Sequence, residues 1–311
     1  MKSSDKSNYL LSVVVLTKNS ARTLNYTLES LLKSTIMPDE LIIVDGGSTD
    51  STLSIVKSYM DKLDVRIVYD KGRGYGYARD LGWRSSRGKY VVMVDSDVVV
   101  NPEFFQRAIE ILEKDSGLAA LAAKLRPVVN EKGLLAKFQT KNLAIIIFNK
   151  EDVYPKPSIS VSTSCTIYRK SALESVNGFS HKFVLAKEDS DITFRLIKNG
   201  FRASQLKIDC KHLETGKRFF KVNFKYGRSY PVISSEHPDM SPLWTRKNIF
   251  FISAVIFPFL QFPILAWYLN RYIKLGRMSS MEAFEMASIE TLRQFLRYSG
   301  MLHQLIRGGY T

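Results

Sequence analysis

The sequence predicts an α/β fold: a doubly wound, mostly parallel sheet, with apolar helices at its C-terminal end. Three observations carry that expectation. Four short apolar runs, "LSVVVLT", "ELIIVD", "VRIVYD" and "KYVVMVD", alternate with helical segments through the first hundred residues, as in βαβ units. Asp45 and Asp95 close two of these runs, at the carboxyl edge where open sheets bind ligands. Residues 249–269 carry no charge at all.

The elements follow in order. "LSVVVLT", residues 11–17, is apolar without alternation and so reads as a strand buried on both faces. Asn19 and Ser20 are placed to cap a helix whose Leu24, Leu28, Leu31 and Leu32 recur at helical spacing. After "ELIIVD", the turn "GGSTDST" offers hydroxyls and Asp50 as caps for a helix near 51–62. "VRIVYD" is the third strand, "GYARDLGWRSS" a short helix and "KYVVMVD" the fourth strand. "NPEFFQRAIEILEKD" is a helix with Pro102 near its start. Residues 134–148 are apolar without clear period. "SISVSTSCTIYRK" and "FRASQLKID" read as strands, around a helix "EDSDITFRLIKNG" that is acidic at its start and stopped by Gly200.

The last seventy residues are a different material. The 21 uncharged residues from 249 to 269 would reach roughly 30 Å as a helix, the thickness of a bilayer core. Arg246 and Lys247 precede them, and Arg271 and Lys274 follow. Pro258, Gln261 and Pro263 weigh against a straight span and leave a re-entrant or monotopic arrangement open. A second helix, 280–306, sets Phe284, Leu292, Phe295, Leu302 and Ile306 broadly on one face. Its Arg293, Arg297 and Arg307 are expected against lipid headgroups, or else packed on the domain. The helices also offer a surface for self-association.

Composition narrows the partners. The chain has 311 residues, 45% of them hydrophobic, enough for a sizeable core. Its net charge of +15 suits nucleic acid, an anionic membrane or phosphorylated substrates. Cys165 and Cys210 are the two cysteines, expected as buried free thiols in a reducing compartment. The polar start "MKSSDKSNYL" lacks the apolar core of a signal peptide, so catalysis is expected on the cytoplasmic side.

Asp95 and Asp97 are carboxylates on alternate positions at a strand's carboxyl end. Such hard oxygen donors hold Mg2+ or Mn2+, which keep positions open for substrate phosphates. A cation there neutralises a leaving diphosphate. Arg73 and Arg79, in "DKGRGYGYARD", suit diphosphate oxygens by geometry and permanent charge. The glycines of that stretch follow no nucleotide-binding fingerprint and read as a loop.

Four blocks together, "SVVVLTKNSARTL", "LIIVDGGSTDST", "GYARDLGWRSSRGKYVVMVDSD" and "EDSDITFRLIKNGF", resemble the family 2 glycosyltransferases. The resemblance runs over about residues 11–212 and rests on the order and spacing of all four. It implies the Rossmann-like GT-A fold, expected over residues 1–235; the apolar helices of 236–311 are expected to form a membrane-associated region. It also implies transfer of a sugar, with inversion, from a nucleotide-diphosphate donor. Thr17, Asn19 and Asp45 would border the base and ribose, and Asp95 and Asp97 the ribose and the metal-diphosphate unit. "KEDSD" answers to the family's acidic acceptor motif. Asp189 would be the general base, Glu188 would orient it, and Asp191 would cap the helix, or all three would simply complement a helix N-terminus. His212, after "KIDCK", either completes the metal or diphosphate site or is a structural histidine. Where many members read Asp-Asp-Gly-Ser, this chain has Asp45-Gly46-Gly47-Ser48, so a base-contacting acid is missing.

The expected acceptor is lipid-linked or otherwise amphiphilic, reached at the cytoplasmic face of the cell membrane, with no nucleic-acid partner. A polyprenyl-phosphate sugar synthase is the sister reading; its phosphate acceptor needs no general base, which the acidic motif supplies. A nucleotidyltransferase would want a Gly- and Lys-rich phosphate loop after the first strand, and "TKNSART" is not one. A non-catalytic basic membrane or nucleic-acid binder is the remaining class, and the intact acidic positions argue against it.

Overall fold

The structure, a computed structural model, describes residues 11–128, 134–135, 138, 161–213, 219–274 and 278–307. Strands β1 (Leu11–Thr17), β2 (Glu40–Asp45), β3 (Val65–Tyr69) and β4 (Tyr90–Asp95) form where the four apolar runs predict them, parallel and in the order β3-β2-β1-β4. Alternate residues then face opposite ways. Val13, Val15, Ile43 and Val92 pack with Leu24, Leu28 and Leu31 of α1 (Leu24–Leu32), Val56 of α2 (Thr52–Lys57), and Phe105 and Leu112 of α4 (Phe104–Lys114). Val14, Ile42, Val44 and Met93 pack instead with Trp83 of α3 (Tyr75–Arg84), Leu173 of α5 (Lys170–Ser175), and Ile192 and Leu196 of α6 (Glu188–Lys198). Both faces are covered, as a doubly wound sheet requires. Each such side chain contributes about 1.5–3 kcal/mol by leaving water.

The sheet as a whole is mixed rather than mostly parallel, which corrects the expectation. β4 pairs antiparallel with β7 (Cys165–Arg169), and β7 antiparallel with β6 (Leu118–Pro127). The two-residue β5 (Val98–Val99) pairs antiparallel with β8 (Arg202–His212), and the full order is β3-β2-β1-β4-β7-β6-β8-β5. Strand direction follows from the connections, and those beyond residue 100 do not keep the strand–helix alternation that made the first half readable.

Local chemistry differs from expectation at the first helix. Neither Asn19 nor Ser20 caps α1 through its side chain; the Ser20 carbonyl accepts from the amides of Thr23 and Leu24 instead. Asp50 does act as expected, its Oδ1 accepting from the Thr52 amide at 3.0 Å. That helix is shorter than 51–62. Cys165 and Cys210 are buried free thiols, Sγ to Sγ 3.9 Å.

The chain divides into two compact units. The first comprises residues 1–126, 152–184 and 188–213 and holds the sheet; the second comprises 127–151, 185–187 and 214–311. The expected boundary after residue 235 falls inside α8 (Tyr230–Glu236), and α7 (Phe219–Arg228) belongs to the second unit. The reason is a close helix crossing. A Cβ on Gly227 would lie 1.8 Å from the Arg297 carbonyl oxygen, and one on Gly300 would lie 2.1 Å from that of Phe224. Only glycine lets α7 and α11 (Ser280–Arg307) approach so closely.

The uncharged run 249–269 is not one helix. α9 (Arg246–Ile256) ends before Phe257, a 3-10 turn covers Pro258–Leu260, and α10 (Gln261–Lys274) begins anew. Pro258 lacks an amide proton and pushes Phe257 out of the helical region, to φ −113 and ψ 90. Among the described residues, no helix is long and apolar enough to cross a membrane. Two arginines of α11 take the packed alternative. Arg293 reaches Glu290, and Arg297 donates to Asn223 Oδ1 at 3.0 Å, with burial and Arg293 beside it lowering its pKa. The apolar segment 134–148 lies almost wholly outside the described residues.

Candidate active site

The carboxyl edge of the sheet carries acids at the ends of adjacent strands. Thr17 and Asp45 are register partners on β1 and β2. The Asp45 carboxylate is buried and fully occupied: Oδ1 accepts from the Thr17 and Ser48 hydroxyls at 3.0 and 2.5 Å, and Oδ2 from the amides of Gly47 and Ser48. Asn19 bridges to the same loop, its Oδ1 accepting from the Thr49 amide at 2.8 Å and its own amide donating to Ser48 Oγ. The three residues expected at the base and ribose are therefore one rigid corner.

The second cluster is built around Arg79, on α3. Its Nη2 donates to Asp95 Oδ1 at 2.9 Å and its Nε to Glu188 Oε1 at 3.0 Å, with the side chain 3% exposed. Where a diphosphate contact was expected, Arg79 instead holds two carboxylates and, through Nη1, the Thr163 carbonyl at 3.5 Å. It joins Asp95, at the end of β4, to Glu188, at the start of α6. Burial opposes its charge, but Asp95 and Glu188 more than offset that and raise its pKa. Burial works to raise Asp95, yet the Arg79 charge and the Ser164 hydrogen bond hold its carboxyl below the usual range. Glu188 goes the other way. Burial lifts its pKa, Arg79 pulls it down, and the adjacent Asp189 charge adds to the lift. Arg79 pairs with two carboxylates, and Asp189 stands beside Glu188 as a further acid.

The approach that makes this possible is a backbone one. A Cβ at Gly76 would sit 2.1 Å from the Ser180 carbonyl oxygen, and the Gly76 amide donates to that of Phe183. The glycines of "GRGYGYARD" thus admit the 180–184 segment that leads into α6. Asp189 is half-buried in the first turn of α6, accepting from the Ser190 amide. Asp191 pairs with Arg195 one turn on, which stabilises the helix from within. Arg73 is exposed, its guanidinium 3.7 Å from the centre of the Tyr77 ring.

Asp97 and His212 meet although distant in sequence. The β5–β8 ladder places His212 opposite Val98, and His212 Nε2 lies 3.2 Å from Asp97 Oδ1. That separation matches neighbouring ligands on an octahedral cation with bonds of about 2.1 Å. Among the described residues, no three His, Cys, Asp or Glu side chains converge as a ready cage. A cation at this pair would take its other ligands from diphosphate oxygens and water, as Mg2+ does.

Two participants were not singled out from sequence. Asp70 follows β3 as Asp45 ends β2, and its Oδ1 lies 3.3 Å from where a Cβ on Gly46 would be. It fills the space beside the position where the family's second acid is missing, and its place at a strand end was the available signal. Tyr168 Oη is buried with no hydrogen-bond partner; burial, Asp189 and Glu188 raise its pKa against the pull of Arg79. No sequence pattern marked it.

A family model for glycosyl transferase family 2 matches residues 12–176. Validoxylamine A glucosyltransferase of Streptomyces hygroscopicus is 35% identical over 104 residues, 32% of this chain and 23% of that protein. The UDP-Gal:alpha-D-GlcNAc-diphosphoundecaprenol beta-1,3-galactosyltransferase of Escherichia coli is 22% identical over 225 residues, 70% of this chain and 78% of that one. Among solved structures, the mannosyltransferase PcManGT of Pyrobaculum calidifontis, in complex with GDP-Man and Mn2+, is similar in fold. Its TM-score is 0.65 at 16% identity, covering 97% of this chain and 88% of that one. The chain spans less than half the length of several curated relatives that it matches.

Proposed function

The chain belongs to glycosyl transferase family 2, and on that premise we propose that it transfers a sugar, with inversion, from a nucleoside-diphosphate donor to a hydroxyl of a lipid-linked or other amphiphilic acceptor. The observation that carries this reading is the Arg79 bridge, which holds Asp95 and Glu188 in one cluster. The donor-side and acceptor-side acids of the family pattern are thereby brought together.

In this reading the corner of Thr17, Asn19 and Asp45 borders the nucleoside, and Asp97 with His212 holds a divalent cation, Mn2+ or Mg2+. When bound, that cation offsets the negative charge of the departing diphosphate. The acceptor oxygen attacks the anomeric carbon as the bond from that carbon to the diphosphate oxygen breaks, and the leaving electron pair stays with the nucleoside diphosphate. The acceptor proton passes to the Asp189 carboxylate. Glu188, fixed by Arg79, keeps the first turn of α6 in place. The lipid-linked acceptor draws support from the undecaprenol-linked substrate in the name of the Escherichia coli relative. The setting we propose is the cytoplasmic face of the cell membrane.

The test is Asp189→Asn, assayed for nucleoside diphosphate release across a panel of nucleotide sugars. Turnover should fall by about 10²–10⁴-fold with donor affinity retained. Unchanged turnover would overturn the base assignment. A loss confined to donor affinity would assign the acidic cluster to the helix terminus instead.

A further inference from the structure

The second unit leaves uncovered what the first unit buries. α10 buries Ile264, Tyr268 and Tyr272 along one stripe, yet its opposite side presents Phe262, Trp267 and Ile273 to solvent. α9 does the same: Phe251 and Ala254 face in, while Phe250 and Ile256 face out. Phe257 and Phe259, in the turn between them, are exposed with their rings 6.1 Å apart. Phe259 is 64% exposed and Phe262 74%, far beyond what a stray surface residue explains. Helices apolar on both sides belong in a core or in lipid.

Charge decides between the candidates for the covering surface. From residue 240 to 281 the chain holds five cations, Arg246, Lys247, Arg271, Lys274 and Arg277, and no acid. A symmetric dimer through this face would set the same patch against itself, cation toward cation. An anionic lipid surface attracts each cation and accepts the apolar side chains. The Arg271 guanidinium carbon lies 5.8 Å from the Trp267 ring centre, a pairing suited to the headgroup level, where indoles and cations collect.

We infer that the outward faces of α9 and α10 and the turn between them seat in the headgroup–acyl boundary of one leaflet of an anionic membrane, without crossing it. This gives the membrane setting proposed above a defined surface and depth, and it stands on the second unit alone. A chain that binds lipid but transfers no sugar would break the catalytic reading and leave this one intact.

The test uses the full-length chain with vesicles of phosphatidylcholine alone, or mixed with phosphatidylglycerol in equal parts. The chain should sediment with the anionic vesicles and be released by high salt. Phe259→Asp with Phe262→Asp should weaken binding by roughly tenfold or more while the far-ultraviolet spectrum stays unchanged, because both residues are exposed. Arg271→Gln with Lys274→Gln should weaken it by about fivefold per charge. On the unaltered chain, vesicles should shift the emission component removed by Trp267→Phe to shorter wavelength. Bromines near the headgroups should quench that component more than bromines at the chain ends. Three results would overturn the inference: no sedimentation with anionic vesicles, equal quenching at both depths, or a stable dimer in ultracentrifugation that Phe262→Asp dissociates.

Discussion

The two units treat apolar side chains in opposite ways. Among the described residues of the sheet unit, the exposed large apolar side chains are three tyrosines and two methionines, Tyr26, Tyr69, Tyr75, Met37 and Met60. The helical unit exposes phenylalanine and isoleucine along both α9 and α10, and Trp267 on α10. Buried charge differs as well. Arg79 in the sheet unit is held between two carboxylates, which raise its pKa, whereas Arg297 in the helical unit donates to an amide oxygen and has its pKa lowered by burial. The first unit buries its large aliphatic side chains and gathers its acids at the end of the sheet; the second keeps large apolar side chains exposed.

The contrast is most sharply broken at Arg79. Arg79→Met removes the one cation between Asp95 and Glu188 and leaves Glu188 buried and the half-buried Asp95 without it. The sheet unit should lose about 3–5 kcal/mol, read as a lowered urea midpoint, and transfer should vanish. Vesicle binding, which depends on the other unit, should survive at temperatures where the chain stays folded. Loss of both together would mean that the units are not separable.

A smaller effect is expected at the helix crossing. Gly300→Ala pushes a methyl group into the Phe224 carbonyl, which backbone cannot yield without parting α7 from α11. The expected loss is about 1–3 kcal/mol, seen as faster amide exchange in α7 and α11. Exchange in β1 to β4 should stay unchanged. Equal loosening of the sheet would refute the division.

The smallest effect is in acid, and it has two limbs. Glu188 has a raised pKa in the folded state, so folding takes up a proton as pH falls through that raised value, and stability rises slightly. Asp95 is held below its ordinary value of 3.8, so its contribution is full above that value and is lost as pH falls further through the folded-state pKa. Urea midpoints against pH should show a shallow maximum on the mildly acidic side. Glu188→Gln should remove the rising limb and keep the falling one.

Much of the sheet unit is legible in the sequence because buried parallel strands leave uninterrupted runs such as "SVVVL" and "YVVMV". Asp45, Asp95 and Asp97 are legible because they close or follow such runs. The direction of β7 is not, since "CTIYR" reads the same whichever way its neighbour runs. Arg79 was visible as a cation near the cleft, but its burial depends on Glu188, brought to it only by the fold. The break at Pro258 was signalled by the proline itself. The inward turn of Arg293 and Arg297 was not, because a helical stripe does not say which side its neighbours will take.

The Arg79–Glu188 bond joins residues 109 positions apart, and the Asp97–His212 contact closes through β8, the last strand of the sheet. During synthesis the corner of Thr17, Asn19 and Asp45 has the partners of its side-chain hydrogen bonds within the first fifty residues, so they are all made before most of the chain is. The acids beside it stay unmatched until α6 and β8 emerge. A growing chain therefore holds the side-chain partners of that corner long before those of the acidic cluster, and the Asp97–His212 contact closes only as residue 212 takes its place opposite Val98.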